Sequence, residues 1–261
     1  PFGTDALRLT FAAMATTGRD IRFDLGRIGG YRNFCNKIWN ASRFVELMAD
    51  KHGFSEEKNN LVANSAEHWI YSKLKKTLAN VKENFELYRF DLASNSLHEF
   101  IWDDYCDWYI ESAKVTLLSD EGSMQQKQQV VGSLIDILQT ALCTLHPIMP
   151  FISEELWIKL EALKSTRRKF LDVKFPDSID FEPRDSEVAS YDRIQKFVLE
   201  VRRIRSSYNV NPKKRIHTYL DCPAEKLSHF FGGNLELANS LGKISKILHL
   251  EQNNLSGTAT G

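Results

Sequence analysis

What this 261-residue sequence has little of narrows the choices first. Cysteine is scarce: Cys35, Cys106, Cys143 and Cys222 make up the full set, and no two stand as C-x-x-C. That excludes a zinc ribbon, a thioredoxin-type redox pair and a disulfide miniprotein. It fits reduced, buried thiols in a cytoplasmic protein. No apolar run approaches the roughly 20 residues that a membrane-spanning helix needs, so no membrane partner is expected. Neither sign of charge dominates, because 34 Lys+Arg balance 34 Asp+Glu. The chain as a whole is therefore no general polyanion binder, and a nucleic-acid site has to come from local asymmetry. The phosphate-loop, dinucleotide-loop, nucleophile-elbow and H-E-x-x-H signatures are all missing. The histidines fall at no metal-ligand spacing, so neither a catalytic centre nor a metal site is expected. What remains is an ordinary globular composition, 43% hydrophobic and 26% charged, which excludes intrinsic disorder.

Glycine (13) and proline (7) are also few, and long stretches run without either, which favours helix. The pattern predicts a first helix capped by Thr4 or Asp5 and reaching about Thr16. A linker over Gly18–Asp24 follows, then a second helix over Arg27–Lys51 stopped by Gly53. Further helices are expected from Ser65 to Phe85, Asp91 to Thr116 and Met124 to Leu145. His146-Pro147-Ile148-Met149-Pro150 interrupts, and helix resumes over Phe151–Leu163. Residues 165–184, with Pro176 and Pro183, read as an irregular crossing. One more helix covers Glu187–Tyr208, and two short strands, Arg215–Leu220 and Ile244–Leu250, flank helical material. The fold expected is mainly α: an antiparallel helical bundle over 1–184, then a connecting helix with a small α/β appendage over 185–255. A frayed tail over 256–261 completes it. The start, Pro1-Phe2-Gly3-Thr4, reads as a cut inside a longer protein.

The second helix carries the most information. At about 100° per residue, Tyr31, Phe34, Cys35, Ile38, Ala41, Ser42, Val45, Met48 and Ala49 share one broad arc, the expected buried stripe. Opposite lie Asn33, Asn36, Lys37, Asn40, Arg43 and Phe44. The amides suit base edges, the cations suit phosphate or base acceptors, and the phenyl ring offers a stacking face. The plainer alternative is a solvated polar face with Phe44 packed under a neighbouring helix. Local charge adds weight to the first reading. Residues 1–45 carry Arg8, Arg19, Arg22, Arg27, Arg32, Lys37 and Arg43 against Asp5, Asp20 and Asp24.

In the fourth helix, Leu97, Phe100, Ile101, Tyr105, Trp108, Ser112 and Val115 share the core arc. Asp103, Asp107 and Glu111 fall outside it, with Ile110 among them. Metal binding or hydrolysis by Asp103, Asp104 and Asp107 is the weaker reading, and an acidic solvated face the stronger. A second basic stretch runs from Arg193 to Arg215, opposed only by Glu200. It suits an RNA backbone or a solvated face equally.

These same residues carry a family resemblance. Gly3-Thr4-Asp5-Ala6-Leu7-Arg8 and His146-Pro147-Ile148-Met149-Pro150-Phe151-Ile152-Ser153-Glu154-Glu155-Leu156-Trp157 resemble class Ia aminoacyl-tRNA synthetases. Tyr31-Arg32-Asn33-Phe34-Cys35-Asn36-Lys37-Ile38-Trp39-Asn40-Ala41-Ser42-Arg43-Phe44 and Cys106-Asp107-Trp108-Tyr109-Ile110-Glu111 are similar to the valine–tRNA ligase family. So are Arg202-Arg203-Ile204-Arg205 and Asn209-Val210-Asn211-Pro212. The similarity extends to about Leu250.

The resemblance implies an anticodon-binding helical bundle with tRNA(Val) as partner, in a monomeric cytoplasmic enzyme. It implies anticodon contacts at Lys37, Arg43, Phe44, Ile110 and Glu111, beside the amides Asn36 and Asn40 that the helical face supplies. Backbone contacts are expected at Arg27, Arg202 and Arg205. One departure is that a basic family position falls on Gly26, a contact either lost or supplied by Arg27. The family's HIGH and KMSKS signatures are absent, as is its editing domain. The expectation is therefore a C-terminal piece without chemistry of its own. The whole enzyme would use ATP and Mg²⁺ to attach valine to tRNA. A freestanding RNA-binding module and a helical protein–protein scaffold are the rival expectations.

Overall fold

Side-chain caps set the starts of several helices. The computed structural model describes residues 2–16, 24–54, 64–120, 122–165, 167–221 and 230–249. Helix α1 spans Thr4–Met14, α2 Leu25–His52 and α3 Ser65–Glu86. Helix α4, Phe90–Glu99, runs straight into a π-helical segment, Phe100–Tyr109, and on into α5, Ile110–Leu118. Helix α6 is Met124–Leu145, α7 Pro150–Glu161, α8 Asp185–Ser207 and α9 Leu235–Gly242. Strands β1 (Ile216–Leu220) and β2 (Ile244–His249) pair in parallel, with His217 opposite Lys246. A parallel pair needs a crossover, and α9 lies within it. The mainly helical fold with its small α/β piece is the one the sequence predicts. The expected linker over 18–24 falls outside the described residues except for Asp24, as do Arg19, Arg22, Cys222 and the tail 256–261.

Asp24 caps α2 by accepting from the Gly26 amide at 2.8 Å, and Gly53 ends the helix at φ 69, where a side chain would be strained. Asn64, not Ser65, caps α3: its side chain accepts from the Glu67 amide and Glu67 accepts from its own. Ser123 and Gln126 form the same reciprocal box at the start of α6. Helix α1 corrects the sequence reading, since neither Thr4 nor Asp5 caps it. Asp5 is buried and caps a different helix. Its carboxylate accepts from the amides of Phe151 (3.4 Å) and Ile152 (2.6 Å) in the first turn of α7. Arg8 donates to the carbonyls of Ile148 and Pro147. The two motifs at residues 3–8 and 146–157 are thus two halves of one joint.

The chain divides into two compact units, Pro1–Leu61 with Ile70–Glu182, and Val62–Trp69 with Pro183–Gly261. The first turn of α3 belongs to the second unit, an exchange the sequence reading did not contain. In the first unit α2 packs on α1, α6, α7 and the π segment. Its stripe of Phe34, Ile38, Val45 and Met48 is buried with Leu134, Leu138, Leu142 and Trp157. In the second unit Tyr191, Ile194, Val198 and Val201 of α8 are buried, as are Leu241, Ile244 and Ile247. The Trp69 ring sits 4.7 Å from that of Tyr191 and its indole donates to Asp192. At Gly242, the last residue of α9, a Cβ would lie 2.7 Å from the Ile244 Cδ1 methyl, so a side chain there would displace that flexible chain end.

Cys35, Cys106 and Cys143 are free thiols, pushed up by burial to about 11, 12 and 12. They stay protonated and unreactive near neutral pH.

Candidate nucleic-acid interface

The π segment decides which side chains reach α2. In it the hydrogen bonds close over five residues, as when the Ile110 amide donates to Tyr105 O. Each turn holds more residues than an α-turn, so the phase of everything after it shifts. Tyr109 and Ile110 rotate into the core, 1% and 6% exposed, while Trp108 moves out to a half-buried position. This corrects two expectations. Trp108 is not part of the core arc, and Ile110 is not free to lie against a base. Trp102 and Asp107, five apart, come to face the same partner.

That partner is Lys37. Its Nζ stands 2.7 Å from Asp107 Oδ1 and 3.9 Å from the centre of the Trp102 ring. Trp102 is stacked on His98 (5.6 Å, 11°), and His98 lies 4.6 Å from Phe34. The lysine is thereby held at the seam between α2 and the π segment. One to two turns along α2, the Phe44 ring lies half-buried beneath Lys114 Nζ at 5.4 Å, and Lys114 pairs with Glu111. Asn36, Asn40, Arg43 and Glu111 are exposed. The structure therefore brings Lys37, Phe44 and Glu111 from two distant sequence motifs to one seam, with Asn36, Asn40 and Arg43 along its α2 side. Trp102 and Lys114 also line it, and sequence reasoning missed both. Lys114 was legible as a cation three residues after Glu111; Trp102 was not, because its position depends on the π turn.

Electrostatics along the seam are mixed. Burial holds His98 below its ordinary value, and Lys37 acts the same way against the opposing pull of Asp103 and Glu99. Burial raises Asp104 although Lys73 is paired with it at 3.4 Å. Asp104 and Asp107 are thus each engaged with a lysine of another helix, and among the described residues no three side chains are grouped as metal ligands. Of the seven cations counted over residues 1–45, Arg8 is committed to carbonyls and Lys37 to Asp107, whereas Arg27 and Arg43 are exposed.

In the second unit the basic stretch resolves differently from expectation. Arg205 is buried, 6% exposed, and its guanidinium donates to the carbonyls of Asn211, Lys214 and Lys243. It is a framework residue, so its reading as a backbone contact is withdrawn. The signal was present in the sequence: Arg205 continues the 3–4 spacing of the buried Tyr191, Ile194, Val198 and Val201. Arg202 is exposed and its Nη2 lies 3.5 Å from Leu241 O.

The chain is similar to known proteins over most of its length. A family model for the anticodon-binding domain of tRNA ligase matches residues 67–220. The chain belongs to that family. The matched part of this anticodon-binding domain includes the π segment, α5 and α8, while α2 precedes it. Relatives that cover α2 as well include the valine–tRNA ligase of Coxiella burnetii, 38% identical over 100% of this chain and 28% of that protein. That of Legionella pneumophila strain Lens is 38% identical over 95% of this chain and 27% of its own length. That of Psychrobacter arcticus is 40% identical over 84% and 23%. The chain thus spans about a quarter of the length of the curated relatives it matches.

Proposed function

We propose that the seam between α2 and the Phe100–Leu118 helix reads the anticodon of tRNA(Val). The observation that carries this reading is the convergence at one exposed seam of two amides, an exposed arginine, a half-buried phenyl ring and a carboxylate. Family membership and the valine–tRNA ligase relatives support it. Valine codons are GUN, so the anticodon ends in A then C. Asn36, Asn40 and Arg43 present donors and acceptors suited to base edges. The open face of Phe44 takes a splayed base by stacking, and Glu111 accepts from an exocyclic amine such as that of cytosine. Lys37, held by Asp107 and Trp102, meets an acceptor without first losing side-chain freedom. Arg27 lies on the same helix and contributes charge to the backbone.

The whole protein, on this reading, is a monomeric cytoplasmic enzyme that activates valine with ATP and Mg²⁺. These 261 residues supply recognition and no bond-making step. The test is a fluorescence titration of this chain with two anticodon stem-loops at fixed low salt, one ending in A-C and one with the middle A changed to G. A preference of about fivefold or more for the first is expected, since one misread base costs about 1–3 kcal/mol. Equal binding would refute the reading. Loss of binding by both loops in moderate salt, without preference, would assign the seam to electrostatic docking alone.

A further inference from the structure

The second unit holds a cationic corner that the anticodon reading does not use. Helices α8 and α9 both end there, and a single buried guanidinium ties their ends together. Arg205 donates to Asn211 O at 2.8 Å, Lys214 O at 2.6 Å and Lys243 O at 3.3 Å. The Ile216 amide donates to Lys243 O, and Arg215 Nη1 donates to Ile244 O at 3.1 Å. One side chain therefore fixes the loop after α8 against the turn between α9 and β2. The consequence is that Lys213, Lys214 and Arg215 from one segment, and Lys243 and Lys246 from another, crowd a single corner. All five are exposed. Lys246 is the register partner of His217, which is also exposed, so the charge continues onto the open face of the strand pair.

Two features mark this corner as more than a solvated face. Cations at helix C-termini are ordinarily explained by the helix dipole, but Lys213, Lys214 and Arg215 lie beyond the last turn of α8, which ends at Ser207, and Lys246 lies on β2. The five outer cations exceed that need, and no carboxylate among the described residues is paired with Lys213, Lys214, Arg215, Lys243 or Lys246. In addition, Lys243 occupies a left-handed conformation, φ 53 and ψ 47, at the end of α9. Glycine adopts that conformation freely and usually fills that position; a lysine does so only against its own Cβ.

We infer that this corner is a second RNA-binding surface, which grips the phosphodiester backbone of the tRNA independently of its sequence. The inference rests on the reading of the chain as a tRNA-binding domain and adds to it a site for affinity alongside the site for specificity. Ammonium groups suit phosphates as point charges, and carry no base information.

The test uses whole tRNA with the A-C anticodon, whole tRNA with the middle A changed to G, and salt as a variable. The variant carries Lys213→Gln, Lys214→Gln, Lys246→Gln and Lys243→Gly, the last chosen because glycine suits that backbone and keeps the turn. Both tRNAs are expected to bind about tenfold or more weakly, with their affinity ratio unchanged, and the slope of log K against log salt to fall by about 3. A Lys51→Gln/Lys76→Gln variant, which removes exposed charge elsewhere, is expected to change the slope little. An unchanged slope and affinity in a folded four-site variant would overturn the inference while leaving anticodon reading intact. Weaker binding in that variant, with no discrimination between the tRNAs even in the unaltered protein, would uphold this surface and remove the anticodon reader instead.

Discussion

Helix α2 and the Phe90–Leu118 helix lie side by side and were read by the same periodicity, yet only one obeyed it. In α2 every residue is α-helical, and its buried side follows the arc the spacing defines, from Phe34 through Ile38 and Val45 to Ala49. In its neighbour ten residues are wound as π-helix, and the arc slips. The lesson is that a helical wheel measures phase cumulatively. One stretch of altered pitch misplaces positions within and just after it, here Trp108 and Ile110, while leaving an assignment before it such as Leu97 sound. The same slip shapes the seam, since a five-residue turn sets Trp102 and Asp107 on one lysine.

Core deletions on both helices put the difference to the test. Ile38→Ala on α2 and Ile110→Ala after the π segment should each destabilise the protein by about 2–5 kcal/mol in urea unfolding. Glu111→Ala, one residue on, should change stability by about 0.5 kcal/mol or less. If Ile110→Ala proves as mild as Glu111→Ala, the phase shift is wrong. Binding is the next largest effect. Arg43→Ala and Phe44→Ala should each weaken binding of the A-C stem-loop by about 1–3 kcal/mol, with unfolding midpoints nearly unchanged, as titration beside thermal melting will reveal. A smaller effect belongs to the clamp on Lys37. Asp107→Asn should lower stability by no more than about 1 kcal/mol, because the pair is half-exposed; a larger loss in urea unfolding would make Asp107 part of the fold instead of the seam.

The smallest effect is a pH dependence centred on the stacked His98. Burial lowers its pKa, and those of His52 and His68 move the same way. The unfolded chain takes up protons near about pH 6.5 and the folded chain does so only below that, so stability is full above this value and declines as pH falls through it. The melting temperature should therefore drop between pH 7.5 and pH 5.5, and drop less in His98→Gln. A melting temperature that rises on acidification would contradict the assignment.

Much of this is legible in the sequence. The bounds of α6, Met124–Leu145, are those read from the sequence; His146-Pro147 marks its end, and the structure adds the Ser123–Gln126 box at its start. The two strands and the polar face of α2 were equally plain. What was not legible depends on tertiary structure. Asp5 looks like a local cap but serves α7, more than 140 residues away. Arg205 looks like one more surface cation until the buried stripe of α8 is followed to its end. The π turn leaves no mark in composition, and with it go Ile110 as a contact and Trp102 as a neighbour of Lys37.

On the proposed reading the α2 seam, and not charge alone, distinguishes one anticodon from another. The decisive measurement is the affinity ratio between the A-C stem-loop and its middle-G counterpart, in the unaltered chain and in Phe44→Ala and Arg43→Ala. A ratio of about fivefold or more that collapses toward one in both variants is the predicted result. A ratio that survives in both would contradict the account.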